Sequence, residues 1–110
     1  MWKKLYNAAL KVQKRVCKYQ KQILGKNHPI TLKSLVRLGE FYSFVGKQQT
    51  GIRLPNKAYK LQLATLNEGN LDIEDTLYTL SRLYYDVNDK ARSDKLWQQA
   101  FAYSLKYTPD

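Results

Sequence analysis

The chain has 110 residues, of which 44% are hydrophobic, and its formal net charge at pH 7 is +10. This length fits a single domain, and no stretch approaches the roughly 18 to 20 apolar residues of a membrane-spanning helix. The N-terminus lacks the apolar segment of a secretion signal, and the lone Cys17 excludes an internal disulfide. We therefore expect one cytoplasmic domain over residues 1–110.

The charge is unevenly distributed along the chain. Residues 1–60 contain 14 Lys and Arg and a single acid, Glu40, whereas residues 61–110 contain five bases and eight acids. A strongly basic first half favours an acidic partner, which could be a protein, a nucleic acid or a membrane surface. The same excess of Lys and Arg would also be found if these side chains only formed a solvated surface without a partner.

The first half of the chain predicts two helices. Residues 3–23 carry apolar side chains at the three- and four-residue steps of an amphipathic helix, which ends before Gly25. Pro29, after His28, suits the first position of a second helix that reaches about Val45 and stops at Gly46. The apolar stripe of the first helix consists of Leu5, Ala9, Val12, Val16, Tyr19 and Ile23.

The second half predicts three more helices. Residues near 48–66 contain Gly51 and Pro55, so this helix either starts late, with Pro55 in its first turn, or is kinked at a cost of about 3 kcal/mol. We favour the late start. After a polar turn over residues 67–72, a fourth helix with Glu74 and Asp75 in its first turn runs to about Val87. The fifth spans about residues 90–106.

The segments repeat with a period of 42 residues. This shift pairs apolar with apolar and small with small residues: Leu35 with Leu77, Leu38 with Leu80, Gly39 with Ser81, Tyr42 with Tyr84, Gly46 with Asn88, and Gly51 with Ser93. Applied backwards, it makes the first helix the second half of an earlier unit. We predict about five antiparallel helices: a lone second helix over residues 1–24 and two repeats over residues 25–66 and 67–107.

The run from Leu24 to Thr31, followed by Leu35, Leu38-Gly39, Tyr42 and Gly46, resembles the 42-residue tetratricopeptide repeat of kinesin light chains and related proteins. Asn70-Leu71 replaces the family's His-Pro turn in the second unit. The resemblance implies an all-α, short helix-hairpin solenoid. It also implies a protein-interaction scaffold that binds its partner on the concave surface formed by the first helix of each hairpin, without a cofactor.

The residues expected to bind the partner are those on the exposed faces of the second and fourth helices. On the second helix we expect Lys33, Val36, Arg37, Glu40, Ser43 and Phe44 to point away from the packed layer. On the fourth, Tyr78, Arg82 and Tyr85 follow each other by four and three residues, which places a cation between two aromatic rings on one stripe. Aromatic residues and Arg dominate binding hot spots. The predicted partner-binding residues are Lys33, Arg37, Glu40, Phe44, Tyr78, Arg82 and Tyr85, and the expected partner is an acidic peptide or protein segment.

The basic first helix supplies two further hypotheses. Its charges are Lys3, Lys4, Lys11, Lys14, Arg15, Lys18 and Lys21. They could bind anionic lipid or nucleic-acid phosphates, or form a solvated outer face. A nucleic-acid-binding module is thus the alternative function. Because this helix has no partner in front of it, Trp2, Leu5 and Tyr6 could also pack against a second copy of the chain.

Little in the sequence predicts catalysis. One histidine and one cysteine cannot supply most metal-ligand clusters, and there is no glycine-rich phosphate loop. His28 is better explained as a helix cap than as a ligand, and Cys17 as a small apolar residue than as a nucleophile. We expect no enzymatic activity and no metal.

Overall fold

Five α-helices account for most of the chain: α1 (Trp2–Leu24), α2 (Pro29–Phe44), α3 (Gln48–Thr65), α4 (Leu71–Asp86) and α5 (Lys90–Tyr107). The computed structural model describes residues 2–108, so Met1, Pro109 and Asp110 lie outside the described residues. No β-strand occurs within residues 2–108, which confirms the predicted all-α class. Each helix packs against the next one in the chain, and α2 also packs against α4. None of the five helices is long and apolar enough to cross a membrane.

The turns after α2 and after α4 have the same backbone geometry. Gly46 and Asn88 have positive φ angles of 89° and 63°. In each turn the next amide donates to a carbonyl five residues earlier, from Lys47 to Tyr42 and from Asp89 to Tyr84, both at 2.9 Å. This bond pattern closes a helix through a left-handed residue, which glycine and asparagine adopt most readily. The turns thus repeat after 42 residues.

The starts of α2 and α4 are capped in the same way by different residues. The Nδ1 atom of His28 accepts a hydrogen bond from the Ile30 amide at 3.1 Å, just before Pro29 opens α2. At the start of α4, the Asn70 side-chain oxygen accepts from the Asp72 amide at 2.8 Å. Each cap satisfies one of the amides that a helix N-terminus leaves without a partner. Asn70 therefore takes the role of His28 in the second hairpin.

Small residues lie where the two helices of each hairpin cross. In the first hairpin Gly39 faces Gly51, and a Cβ added at Gly39 would lie 2.5 Å from the Gly51 carbonyl oxygen. In the second hairpin Ser81 faces Ser93 and donates its hydroxyl to the Ser93 carbonyl at 2.8 Å. Because these side chains are small, the two backbones of each hairpin can approach closely.

The predicted late start of α3 is wrong. The helix begins at Gln48, and Pro55 lies in its interior. Proline there leaves the Gly51 carbonyl without its usual helical donor. The buried Pro55 ring packs against Gly39, where a Cβ would lie 2.6 Å from the ring Cγ. Tertiary packing at the crossing therefore offsets the local cost of proline.

The apolar core lies mainly between α2, α3, α4 and α5. Its buried members include Leu32, Leu38, Ala58, Ile73, Leu77, Leu80, Leu83 and Ala100, whereas α1 contributes only Leu10. The helix α1 packs on α2 through the face around Leu10. On this face the Tyr6 ring lies 5.2 Å from the Phe44 ring, and Cys17 donates to the Ser34 carbonyl at 3.2 Å. Most of the apolar stripe predicted on α1 is therefore not covered by α2.

Candidate functional site

The exposed sides of α2 and α4 adjoin and form the surface on which the sequence placed the binding residues. We call it the α2–α4 surface, and it contains Lys33, Arg37, Glu40, Arg82 and Tyr85. A shallow cavity of about 100 Å³ lies between the two helices. The cavity is lined by Lys33, Val36, Arg37 and Glu40 of α2 and by Asp72, Asp75, Thr76 and Thr79 of α4.

Ion pairs connect the charged residues of this surface. The Lys33 ammonium lies 3.7 Å from an Asp72 carboxylate oxygen, which links α2 to α4. Glu40 has two partners: Arg37 on its own helix, at 3.7 Å, and Arg82 on α4. Glu40 therefore holds together two of the predicted cations. Individual exposed ion pairs stabilise a fold by about 0 to 1 kcal/mol, so these pairs mainly orient the side chains.

The cations of the α2–α4 surface are more exposed than the acids that pair with them. The side chains of Lys33, Arg37 and Arg82 are 61%, 65% and 50% exposed, whereas those of Glu40 and Asp72 are 17% and 19% exposed. The carboxylates thus lie beneath the cations. Asp75, which also lines the cavity, is exposed, so the surface presents three cations and one exposed acid, and the local charges nearly balance.

The stripe on α4 differs from the predicted stack of a cation between two rings. Arg82 is bound to Glu40 of α2, and the cation–ring pairs found within residues 2–108 involve other side chains. Tyr78 is half-buried and packs against the cluster of Ile73, Leu77 and Ala100. Tyr85 is exposed. Of the two tyrosines, Tyr85 is the one whose ring is largely available to a partner.

Phe44 lies at the C-terminal end of α2, next to α1. Its ring centroid is 5.2 Å from that of Tyr6 and 6.1 Å from that of Phe41, yet the side chain remains exposed. Aromatic pairs at these separations stabilise their mutual arrangement. Phe44 therefore forms an apolar edge that is shared between α1 and α2, away from Asp72 and Lys33.

Two residues that we expected on the outward face of α2 are packed instead. Val36 is buried where α2 meets α4, at the base of the cavity. Ser43 faces α3, because a Cβ added at Gly51 would collide with its hydroxyl oxygen. The expectation of outward exposure was wrong for both, since α2 contacts α1, α3 and α4 and has only a narrow free face.

The sequence reasoning missed Asp72 as part of this surface. We expected residue 72 to end the polar turn before α4 and assigned the favourable interaction with the helix dipole to Glu74 and Asp75. A signal for the Glu40–Arg82 pair was present, because these residues are 42 positions apart, which is one repeat. No comparable spacing connects Lys33 to Asp72, so that pair required the packing of α2 against α4.

The residues considered for catalysis have structural roles. His28 caps α2, as described above. Burial raises the pKa of the Cys17 thiol above its ordinary value, although a hydrogen bond from Gln13 lowers it in part. Because the thiolate is the reactive form, a raised pKa makes Cys17 a weaker nucleophile at neutral pH. Among residues 2–108 no group of three or more His, Cys, Asp or Glu side chains is placed to hold a metal ion.

Comparisons with family models and with curated proteins assign no family to the chain. No family model matches the chain, and no curated protein matches it.

Proposed function

We propose that this protein is an interaction scaffold of the tetratricopeptide type that binds an acidic segment of a partner protein on the α2–α4 surface. The stacked helical hairpins and the 42-residue repeat of turns, caps and crossings support the scaffold part of the proposal. Repeat folds of this kind present extended surfaces rather than deep cavities, and binding requires no cofactor.

The layering of charge on this surface is the observation that carries the proposal. Lys33, Arg37 and Arg82 are at least half exposed, and their partner acids lie beneath them. A carboxylate of the partner can therefore bind the outer side of each cation without displacing Glu40 or Asp72. Charges at such a surface increase the rate of association and the specificity more than the affinity.

Aromatic contact supplies the affinity in this proposal. Tyr85 is exposed on the same helix as Arg82, and tyrosine offers a large contact area at a small cost in conformational entropy. Tyr78 is half-buried against the core cluster, so it offers a partner less ring area than Tyr85. Phe44 extends the surface towards α1.

A pull-down from nuclease-treated lysate tests the proposal. The test variant combines Lys33→Gln, Arg37→Gln and Tyr85→Ala, because these three side chains are exposed and their replacement leaves the core intact. Tyr78 is left unchanged, since its replacement would disturb packing. We expect the native chain to retain a discrete protein and the variant to lose it.

The control variant carries matched changes on another surface: two cations are replaced by glutamine and one large exposed side chain by alanine. It combines Lys57→Gln, Lys60→Gln and a truncation of the exposed Leu63 to alanine, all on α3. We expect it to retain the partner as the native chain does. Equal retention by the test and control variants would refute the assignment to the α2–α4 surface.

Nucleic-acid binding by the basic first half is the alternative, and one observation favours it. Arg53, Lys57 and Lys60 of α3 line an open cavity of about 600 Å³ beside Tyr84 of α4. Within residues 2–108 no carboxylate lies within 4.0 Å of these three cations. Three phosphate contacts on single-stranded RNA would give log K a slope of about −2 against log salt. Fluorescence anisotropy of a labelled oligonucleotide at several salt concentrations measures this slope, and an absence of binding at low salt excludes the alternative.

A further inference from the structure

The helix α1 carries a heptad pattern of apolar residues. Leu5, Val12 and Tyr19 recur every seven residues, and each is followed four residues later by Ala9, Val16 or Ile23. We call these six residues the α1 seam. Apolar residues at alternating steps of four and three form a continuous line on a helix that is suited to packing against a second helix. From Leu5 to Ile23 the seam is about 27 Å long.

Most of the α1 seam is exposed. Leu5, Val12, Tyr19 and Ile23 are 57%, 60%, 55% and 77% exposed, because α1 packs on α2 through the neighbouring face around Leu10. Scattered apolar residues are normal on a protein surface, but a contiguous apolar line on one helix marks an interaction site.

The equivalent residues of α5 show what such a seam binds. Two repeats, or 84 residues, separate Val12 from Leu96, Val16 from Ala100 and Tyr19 from Tyr103. In the second hairpin Ala100 is fully buried, and Leu96 and Tyr103 pack with it against the buried side chains of α4. The seam of α5 is thus covered by a helix. Within residues 2–108, α1 is contacted only by α2.

The neighbouring helix α2 supplies a second wall beside the seam. A cavity of about 390 Å³ lies between α1 and α2, with Gln13 and Val16 on one side and Ile30 and Phe41 on the other. Ile30 is exposed at its edge. The α1 seam and this side of α2 therefore form a groove in which a helix can contact both elements, as α4 contacts α3 and α2.

Positive charge borders the groove on both sides. Lys4, Lys11 and Lys18 each directly precede a seam residue, so they form a parallel row along α1. Among residues 2–108 none of the three has a carboxylate within 4.0 Å. Lys33 and Arg37 line the α2 side. The positions of α1 that flank the seam directly carry one charge, Arg15, and the lysine row lies one position further out. These cations therefore attract an acidic helix through their summed field rather than through direct seam ion pairs.

We propose that the α1 seam binds an amphipathic α-helix of a partner protein whose apolar face is flanked by acidic residues. A second copy of the chain is a poorer match, because α1 contains no acid and two such helices would bring like charges together. The homodimer predicted through Trp2, Leu5 and Tyr6 stays a prediction, although Tyr6 already packs against Phe44 in its own chain. The site shares Lys33 and Arg37 with the α2–α4 surface, so Tyr85, which does not line the groove, is the residue whose replacement separates the two sites.

Two designed peptides test this inference directly. Both contain three heptads with leucine at the seam positions. One has glutamate at the flanking positions and the other has lysine at the same positions. Each peptide is fluorescently labelled and titrated with the full chain, and binding is followed by anisotropy. We expect the glutamate peptide to bind at least about tenfold more tightly than the lysine peptide, because like charges across the seam oppose association.

Two pairs of variants locate the site on the protein. Val12→Asp places a charge in the exposed seam and should weaken glutamate-peptide binding by about tenfold or more. Leu105→Asp, at a position of α5 that is 66% exposed, is the matched control and should leave binding unchanged. Circular dichroism establishes that both variants remain folded.

The second pair tests the charge selection. Replacing Lys4, Lys11 and Lys18 with glutamate should reverse the preference, so that the lysine peptide binds more tightly. The same three changes at Lys47, Lys57 and Lys60, with the same total charge, should not reverse it. A variant with Tyr85→Ala on the α2–α4 surface should bind the glutamate peptide as the native chain does.

Two kinds of result would overturn the inference. Binding of neither peptide, or of both equally, would show that the seam does not select an acidic helix. A dimeric mass by light scattering that becomes monomeric with Val12→Asp would show that a second copy covers the seam. Equal retention of a protein by the α2–α4 test and control variants, with glutamate-peptide binding intact, would refute only the proposed function and leave this inference standing.

Discussion

Replacing Gly39 with alanine tests the close crossing of α2 and α3. An alanine Cβ would lie 2.5 Å from the Gly51 carbonyl oxygen and 2.6 Å from the Pro55 Cγ. Real Cβ atoms do not approach other heavy atoms within 3.0 Å, so one group must move. Neither neighbour is the end of a flexible side chain, because one is a backbone carbonyl and the other a proline ring in a helix. The two helices must therefore separate.

The magnitude follows from two opposing effects. Alanine gains about 1 kcal/mol over glycine in a helix interior. Overpacking a close contact costs about 1 to 3 kcal/mol, and two rigid neighbours place this site at the upper end. We expect a net loss of about 2 kcal/mol in the free energy of unfolding. With an m-value of about 2 kcal/mol/M, the urea midpoint should fall by about 1 M.

Urea unfolding followed by circular dichroism measures this change. The same substitution in a Pro55→Ala background provides an internal check, because removing the ring relieves one of the two collisions. Gly39→Ala should therefore cost less in that background. If Gly39→Ala instead raises the urea midpoint, helix propensity outweighs the crossing, and the explanation given for Pro55 inside α3 is refuted.

Two further substitutions and one alkylation measurement test other features of the fold. Asn70→Ala removes the cap of α4 and should cost about 1 kcal/mol, whereas Asn67→Ala, in the same turn but without a capping side chain, should be nearly neutral in thermal unfolding. Ser81→Ala removes the side-chain donor to the Ser93 carbonyl, which lies inside α5, and should cost about 1 kcal/mol by urea unfolding, whereas Ser81→Gly would add a backbone effect and is less informative. Because burial raises the pKa of Cys17, its alkylation at pH 8 should be slower than in the urea-unfolded chain, and an equal rate would contradict the burial of the thiol.

The helices and turns were largely predictable because their signals are local and repeat. Gly46 and Asn88 occupy the same repeat position, as do His28 and Asn70, and each pair has one structural role. Comparing the two repeats therefore predicted the turns and caps better than either repeat did by itself. The start of α3 was not predictable in this way, because the packing that tolerates Pro55 depends on Gly39 of another helix.

The face of α1 that packs against α2 also could not be predicted from the sequence. Two apolar lines lie side by side on this helix, one through Leu5, Val12 and Tyr19 and one through Tyr6 and Leu10. Periodicity detects both, but it does not indicate which one a neighbouring helix covers. In the candidate site, the positions of Lys33 and Arg37 could be predicted from helical geometry. Their layering above Glu40 and Asp72 required the tertiary structure.

Site-specific photo-crosslinking is the most direct test of partner binding on the α2–α4 surface. A photoreactive amino acid replaces Tyr85 in one variant and Leu63 of α3 in the other, and the two native side chains are 58% and 53% exposed. Both variants are irradiated in nuclease-treated lysate, and the adducts are identified by mass spectrometry. We predict a discrete protein adduct at position 85 that is absent at position 63. The same adducts at both positions, or none at position 85, would contradict binding on this surface.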